Sequence, residues 1–214
     1  AAVGWKIRVD ARGRQVMRVL PRLHEDINEE WISDKTRFIW DGLKAQRLDK
    51  PYVRKNGKLT AASWDEALSS VAKAMKKAGK KVGAIAGDLA GVEEMFALKD
   101  LIESVGSGMT DCRPPMSSID PMTPRGAYTL NTGIAGIENA DAILLVGTNP
   151  RKEAALVNAR IRKTWRKGGV EIAVIGEAAD LTYDYTHIGT DTAALASIAD
   201  GAHKFAKTLG KAKN

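Results

Sequence analysis

"DAILLVGTNPRKEA", residues 141–154, decides how the rest of the chain is read. Five apolar residues, Ala142 to Val146, break at Gly147 and Pro150, and a basic stretch follows. A short apolar run bounded by turn residues reads as a buried strand. Pro suits the first turn of a helix, so the strand passes through a tight turn into a helix. Strand, turn and helix N-terminus are the parts from which α/β proteins build phosphate grips. The turn is either a cofactor seat or an empty frame.

Outward from this stretch the same unit recurs. Ser63 and Glu66 form a capping box, and Trp64, Ala67, Leu68, Val71, Ala72, Met75 and Ala78 follow at helical spacing. Val82 to Ala86 reads as a buried strand, and Met95, Leu98, Ile102 and Val105 mark one stripe of a second helix. After the 142–146 strand, Arg151 to Arg166 reads as a helix with Ala154, Val157, Ile161 and Trp165 inward. Val170 to Ile175 is a further strand, and Leu195, Ile198, Ala199, Ala202, Phe205 and Leu209 form a last helix. Alternating strands and helices of this length predict an α/β fold with a doubly wound, mainly parallel sheet.

The first 60 residues read differently. Ile7, Val9, Val16 and Val19 alternate around Ala11 to Arg14, a hairpin signal with Gly13 at the turn. Glu25, Asp26, Glu29 and Glu30 precede Trp31, Ile32 and Phe38, as acids do at the positive end of a helix. Leu48 to Thr60, with Pro51 and an Asn56-Gly57 turn, reads as a linker holding a small hairpin. The expected organisation is a small antiparallel β subdomain over 1–60 and an α/β domain over 61–214. "CRPPMSSIDPMTPRG", 112–126, is too rich in proline for a regular element and is read as a site loop or a partner-binding loop.

Composition narrows the chemistry. No run approaches the roughly 20 apolar residues of a membrane span, and no charged, apolar, small-residue leader stands at the front. Ala at position 1 points to a processed product or a fragment. Lys and Arg outnumber Asp and Glu by 33 to 26, a net charge of +7 that permits an anionic partner. Cys112 is the single cysteine, which excludes an internal disulfide, a zinc ribbon and an iron–sulfur cluster held by this chain alone, and suits a reducing compartment. His24, His187 and His203 lie far apart in sequence, so no metal site is expected. "VGSGMT", 105–110, lacks the spacing of a nucleophile elbow, and no Walker or Gly-x-Gly-x-x-Gly motif is present. "AIAGDLAG", 84–91, has only the glycine that any strand-to-helix turn favours. Arg151, Lys152, Arg160, Arg162, Lys163, Arg166 and Lys167 form a basic face opposite the apolar stripe, read as a solvated surface or an anionic-partner face. No aromatics interleave with it, so nucleic acid is not an expected partner.

Long runs then carry a resemblance: "LPRLHEDINEEWISDKTRFIWDGLKAQRLDKPYVRKNGKL", "SWDEAL", "GDLAGVEEMFALKDLIES", "IAGIENADAILLVGTNPRKEAALVNARIRKTWRKGG" and "VIGEAADLTYDYTHIG". They resemble the large iron–sulfur subunit of respiratory complex I, NADH-quinone oxidoreductase, in its alphaproteobacterial and mitochondrial branch. The matching region is similar to molybdopterin-dependent oxidoreductases and lies outside the family's cysteine-rich amino-terminal region. Gly147, Thr148, Asn149 and Pro150 match the Gly-x-Asn-Pro turn with which molybdopterin enzymes grip their dinucleotide cofactor.

Two departures count against a working site. The hairpin region, where many such enzymes hold a cluster, has no cysteine. "TDCRPPMSSID" resembles the segment that places a thiolate or selenolate on molybdenum, but Pro114, Pro115 and Met116 follow the Asp where a ligand is expected, leaving Cys112 as the one candidate. The resemblance therefore implies a noncatalytic structural domain of the complex I peripheral arm, with no catalytic or metal-binding residues, and a turn retained as a vestige. It implies iron–sulfur clusters and FMN in partner chains, other complex I subunits as partners, above all the chain carrying the cluster region, and no direct membrane span. The location implied is the matrix side of the mitochondrial inner membrane, or the cytoplasmic face of a bacterial inner membrane. The hairpin, the Trp31 to Trp40 segment and the proline-rich loop are expected to face partners. The runner-up is a fragment of an active molybdopterin oxidoreductase such as a formate dehydrogenase.

Overall fold

The computed structural model describes residues 3–87, 89–112, 120 and 122–214. In chain order its elements are strands β1 (Ile7–Arg12) and β2 (Gln15–Pro21), helix α1 (Asp34–Phe38), strands β3 (Tyr52–Lys55) and β4 (Lys58–Ala61), helix α2 (Trp64–Ala78), strand β5 (Ala84–Ile85), helix α3 (Val92–Ser104) and strand β6 (Thr110–Asp111). There follow helix α4 (Gly133–Gly136), strand β7 (Ala142–Val146), helices α5 (Pro150–Glu153) and α6 (Ala155–Lys167), strands β8 (Glu171–Ile175) and β9 (Thr186–Gly189), and helices α7 (Thr192–Ala199) and α8 (Lys204–Lys211). The fold is mixed α/β, with parallel strands and small antiparallel sheets. The parallel strands fall in two separate sheets, β5-β6 and β7-β8-β9.

The chain divides into two compact units, Ala1–Ala45 with Pro124–Asn214, and Gln46–Thr123. These edges do not coincide with a boundary at residue 60. The β3–β4 hairpin belongs with α2, where Lys55 pairs with Glu66 at 2.5 Å, so it is part of the second unit and not a linker into it.

In the first unit, β7, β8 and β9 pair in parallel, and successive side chains of β8 leave on opposite faces. Ile172 and Val174 pack with Ile143 and Leu145 beneath Val157, Ile161 and Trp165 of α6. Ala173 and Ile175 pack with Ala142 and Leu144 against Ile198 of α7 and Phe205 and Leu209 of α8. Both faces are covered, which is the doubly wound arrangement expected from the periodicity.

Three elements depart from the sequence reading. The helix after residue 150 breaks at Ala154, whose backbone (φ −143°, ψ 67°) is not helical. The last helix is two, separated at Gly201 (φ +72°), with the Asp191 carboxylate capping α7 and His203 Nδ1 accepting the Phe205 amide to cap α8. The carboxylates at 25–30 do not open a helix. Glu29 takes a positive φ of 49°, which ends any helical continuation, and α1 begins only after Ser33, whose hydroxyl accepts the Thr36 amide. That turn is organised instead by Asn28, 2% exposed, which accepts from the Lys6 amide and donates to the carbonyls of Arg22, Glu29 and Trp31. Ahead of it β1 and β2 form the expected antiparallel hairpin, with Gly13 at φ +58° in the turn.

In the second unit Asn56 (φ +50°) and Gly57 (φ +79°) close the β3–β4 hairpin, as a two-residue loop between twisted strands requires. Ser63 caps α2 by accepting the Glu66 amide. The strand expected over 82–86 shrinks to Ala84–Ile85, paired in parallel with Thr110–Asp111. Although α2 forms as its spacing demands, it buries none of its side chains. Trp64 is 68% exposed, and Leu68 and Val71 more than half.

Candidate functional site

The turn Gly147–Pro150 lies beyond the carboxyl end of β7, and Gly176 and Gly189 stand at the same ends of β8 and β9. Ligands of open α/β sheets gather at this edge. Gly147 holds φ +61°, its amide donates to the Ile175 carbonyl at 2.8 Å, and a side chain built on it would meet nothing within 4 Å. Asn149 Oδ1 accepts the Lys152 amide at 3.3 Å, and Pro150 is buried at the first position of α5. The four residues thus form the turn expected of them.

What the sequence reading missed is Glu153. The Thr148 hydroxyl donates to its Oε2 at 2.7 Å, and the Asn149 amide donates to its Oε1 at 3.1 Å. These two bonds hold its pKa below the ordinary glutamate range. The signal was available, since an acid in a helix's first turn seeks unpaired amides at the start of that helix. Beside it, the Arg151 guanidinium donates to the Asp180 carboxylate at 2.6 Å and to its carbonyl at 2.8 Å.

The basic face, carried by α5 and α6, is exposed at six of its seven cations, and the seventh is drawn into an ion-pair network. Arg160 is 5% exposed, and its guanidinium donates to Glu138 and to the Glu25 carbonyl. Lys163 bridges Glu29 at 2.6 Å and Glu138 at 2.8 Å, and Lys167 reaches Glu138 at 2.6 Å. Partial burial pushes the Glu138 pKa up, but hydrogen bonds from Lys163, Lys167 and Arg160 outweigh it and bring it down to about 2. Arg162 donates to the Thr182 carbonyl at 3.1 Å. Of the seven cations on this face, Lys152, Arg162 and Arg166 make no ion pair among the described residues. Beneath the network Asn158 donates to the Leu181 carbonyl and accepts from Tyr183, whose hydroxyl burial pushes up to about 12.

The other candidates have separate surroundings. His187 Nε2 lies 2.8 Å from the Gly176 carbonyl, His203 caps α8, and His24 has a buried Nδ1 with no partner among the described residues. Ser107 of the "VGSGMT" run is buried and donates to the Val82 carbonyl at 2.7 Å, so its hydroxyl closes a loop. Cys112 is exposed at the end of β6, on a cleft of about 420 Å³ lined by Ala84, Ala86, Met95, Leu98 and Lys99. Pro114, Pro115 and Met116, and Asp88 of "AIAGDLAG", lie outside the described residues.

A parallel sheet covered on both faces, with a Gly-Thr-Asn-Pro turn at its carboxyl edge, defines a doubly wound α/β fold with its turn at the edge where such sheets bind ligands. The chain belongs to the molybdopterin oxidoreductase family, whose model matches residues 47–214. Residues 1–41 match a second model, the 4Fe-4S domain of NADH-ubiquinone oxidoreductase (NDSU1/NuoG-like), over a stretch that contains no cysteine.

The chain is 50% identical over 216 residues to NADH dehydrogenase [ubiquinone] iron-sulfur protein 1, mitochondrial, of Solanum tuberosum, all of this chain and 29% of that protein. It is 50% identical to the NADH-ubiquinone oxidoreductase 78 kDa subunit, mitochondrial, of Neurospora crassa, over 99% of this chain and 29% of that one. It is 49% identical to an NADH-quinone oxidoreductase subunit of Rickettsia bellii, over 99% of this chain and 31% of that one. The chain spans less than a third of the length of these relatives. No helix among the described residues is long and apolar enough to cross a membrane.

Proposed function

We propose that this chain is a noncatalytic structural part of the peripheral arm of respiratory complex I, joining the end of a cluster-bearing domain to a molybdopterin-type α/β domain that no longer carries a cofactor. One observation carries the reading. Segment 24–29, inside the 4Fe-4S match, is pinned to α6, inside the molybdopterin match, by Arg160, Lys163, Glu29 and Glu138. This network, partly buried and hydrogen-bonded on both carboxylate oxygens of Glu138, ties the two segments together.

The chain's own residues then position a neighbouring redox domain and exclude water from it, while clusters and FMN are held by partner chains. The site of work is the matrix side of the mitochondrial inner membrane, or the cytoplasmic face in a bacterium. Trp31, Phe38 and Ile39 are each more than half exposed beside this junction and are the side chains offered to other complex I subunits. Names of NADH–quinone oxidoreductases among the relatives support this reading over a formate-dehydrogenase-like enzyme.

Two measurements test it. Metal analysis of the purified chain is expected to find neither molybdenum nor tungsten, and stoichiometric binding of either would reverse the assignment. Substituting both Trp31 and Phe38 by Ser is expected to abolish incorporation of the chain into complex I, and normal assembly would count against the docking role.

A further inference from the structure

We propose that Glu153 is a built-in anion that fills the turn at 147–150 and closes it to the phosphates of a dinucleotide cofactor. The inference rests on the noncatalytic reading above and names the physical device that enforces it.

A turn of this kind binds phosphate through backbone amides and a hydroxyl that point away from the sheet. In this chain four of those donors already have partners. The Gly147 amide is taken by the Ile175 carbonyl, the Thr148 hydroxyl and the Asn149 amide by the two oxygens of Glu153, and the Lys152 amide by the Asn149 side chain. Pro150 has no N–H to offer. Of the two cations that follow the turn, Arg151 is engaged by both the carboxylate and the carbonyl of Asp180, while Lys152 makes no ion pair among the described residues. The open space over Gly147 therefore leads to a turn two of whose donors face an anion that belongs to the same helix.

A carboxylate is well matched to this work. It presents two oxygens to two donors, as a phosphate would, and charge-assisted bonds to an ionised acceptor are roughly twice as strong as neutral ones. Tethered on the same short helix, it is always at hand, whereas a free anion must first displace it. Displacement would also leave a carboxylate beside the incoming phosphate, and like charges at that distance repel. The same two bonds hold the Glu153 carboxyl below the ordinary glutamate range, as they should for an anion seated between donors. The Gly-Thr-Asn-Pro turn thus keeps its geometry because an internal ligand replaces the external one.

Nuclear magnetic resonance on the purified chain tests this. In the wild-type protein, the Asn149 amide resonance is expected to shift with pH at a midpoint below the ordinary glutamate range. Neither inorganic pyrophosphate nor guanosine diphosphate is expected to move the amides of 147–153. In Glu153→Gln, which keeps the side chain's shape, the pH response of Asn149 should vanish. In Glu153→Ala the Thr148 and Asn149 resonances should move and then return towards their wild-type positions as acetate is added, with an exposed-acid control, Asp184→Asn, showing neither effect.

A wild-type Asn149 amide that ignores pH, or wild-type 147–153 amides that respond saturably to pyrophosphate, would overturn the proposal. Should the Ala variant fail to fold, the Gln variant and the wild-type titrations decide alone. Failure here is distinguishable from failure of the noncatalytic reading: the first is seen in the amides of a chain free of molybdenum, the second in the metal content itself.

Discussion

The two units of this chain carry the same kind of sequence and bury it very differently. In the first, β7–β8–β9 is covered on one face by α6 and on the other by α7 and α8, and Ala173 at its centre is fully buried. In the second, β5 and β6 are two residues each, and α2 leaves its apolar stripe exposed although its apolar residues recur at regular helical spacing. Parallel strands are stable when both faces are covered. The comparison teaches that helical periodicity reports which face of a helix wants burial, and says nothing about whether a neighbour is present to supply it.

Substitutions can break or sharpen this contrast. The largest effect is expected at Ile161, 2% exposed between α6 and the sheet, where Ala should cost about 2–5 kcal/mol by urea unfolding. A loss below about 1 kcal/mol would mean that the first unit is no better packed than the second. Next, Glu138→Ala should cost about 3 kcal/mol, because it removes the nearest carboxylate from the buried Arg160 and leaves only Glu29, at 3.6 Å, to neutralise it. Glu138 also supplies a pH dependence with a definite sign. Its pKa falls from 4.5 unfolded to about 2 folded, so its contribution is complete above pH 4.5 and is lost as pH falls towards 2. The gap in urea midpoint between wild type and Glu138→Gln should close over that window, and a gap that persists at pH 2 would remove the network from the account.

In the second unit the effects should be smaller. Ser63→Ala removes the cap of α2 and should cost about 1 kcal/mol, read by thermal unfolding of that unit. Leu68→Ala, on a side chain 59% exposed, should change stability by no more than about 0.5 kcal/mol. A cost comparable to that at Ile161 would show that the α2 stripe is buried in solution.

Much of the fold was legible because its signals are local. Gly13, Asn56-Gly57 and Ser63 each satisfy a turn or cap within four residues, and each element they predict is present. The strands at 142–146 and 171–175 and the turn at 147–150 were readable for the same reason. The breaks at Ala154 and Gly201 were not, since the apolar spacing continues across both. The burial of Arg160 and the network around it were not readable because the partners, Glu25, Glu29 and Glu138, are between 22 and 135 residues away in sequence. Of the candidate site, the Gly147–Pro150 turn was legible, and Glu153 was visible in the same stretch but had no evident task until both of its oxygens were placed.

By itself the sequence determined where strands, caps and turns form, because hydrophobic period and local hydrogen bonding act over a few residues. Only the tertiary structure decided which stripes are buried, which charges are neutralised and what the side chains around the 147–150 turn bond to. Those outcomes depend on the meeting of groups that the chain separates widely, or on two side-chain oxygens reaching two donors at once, and composition and spacing encode neither.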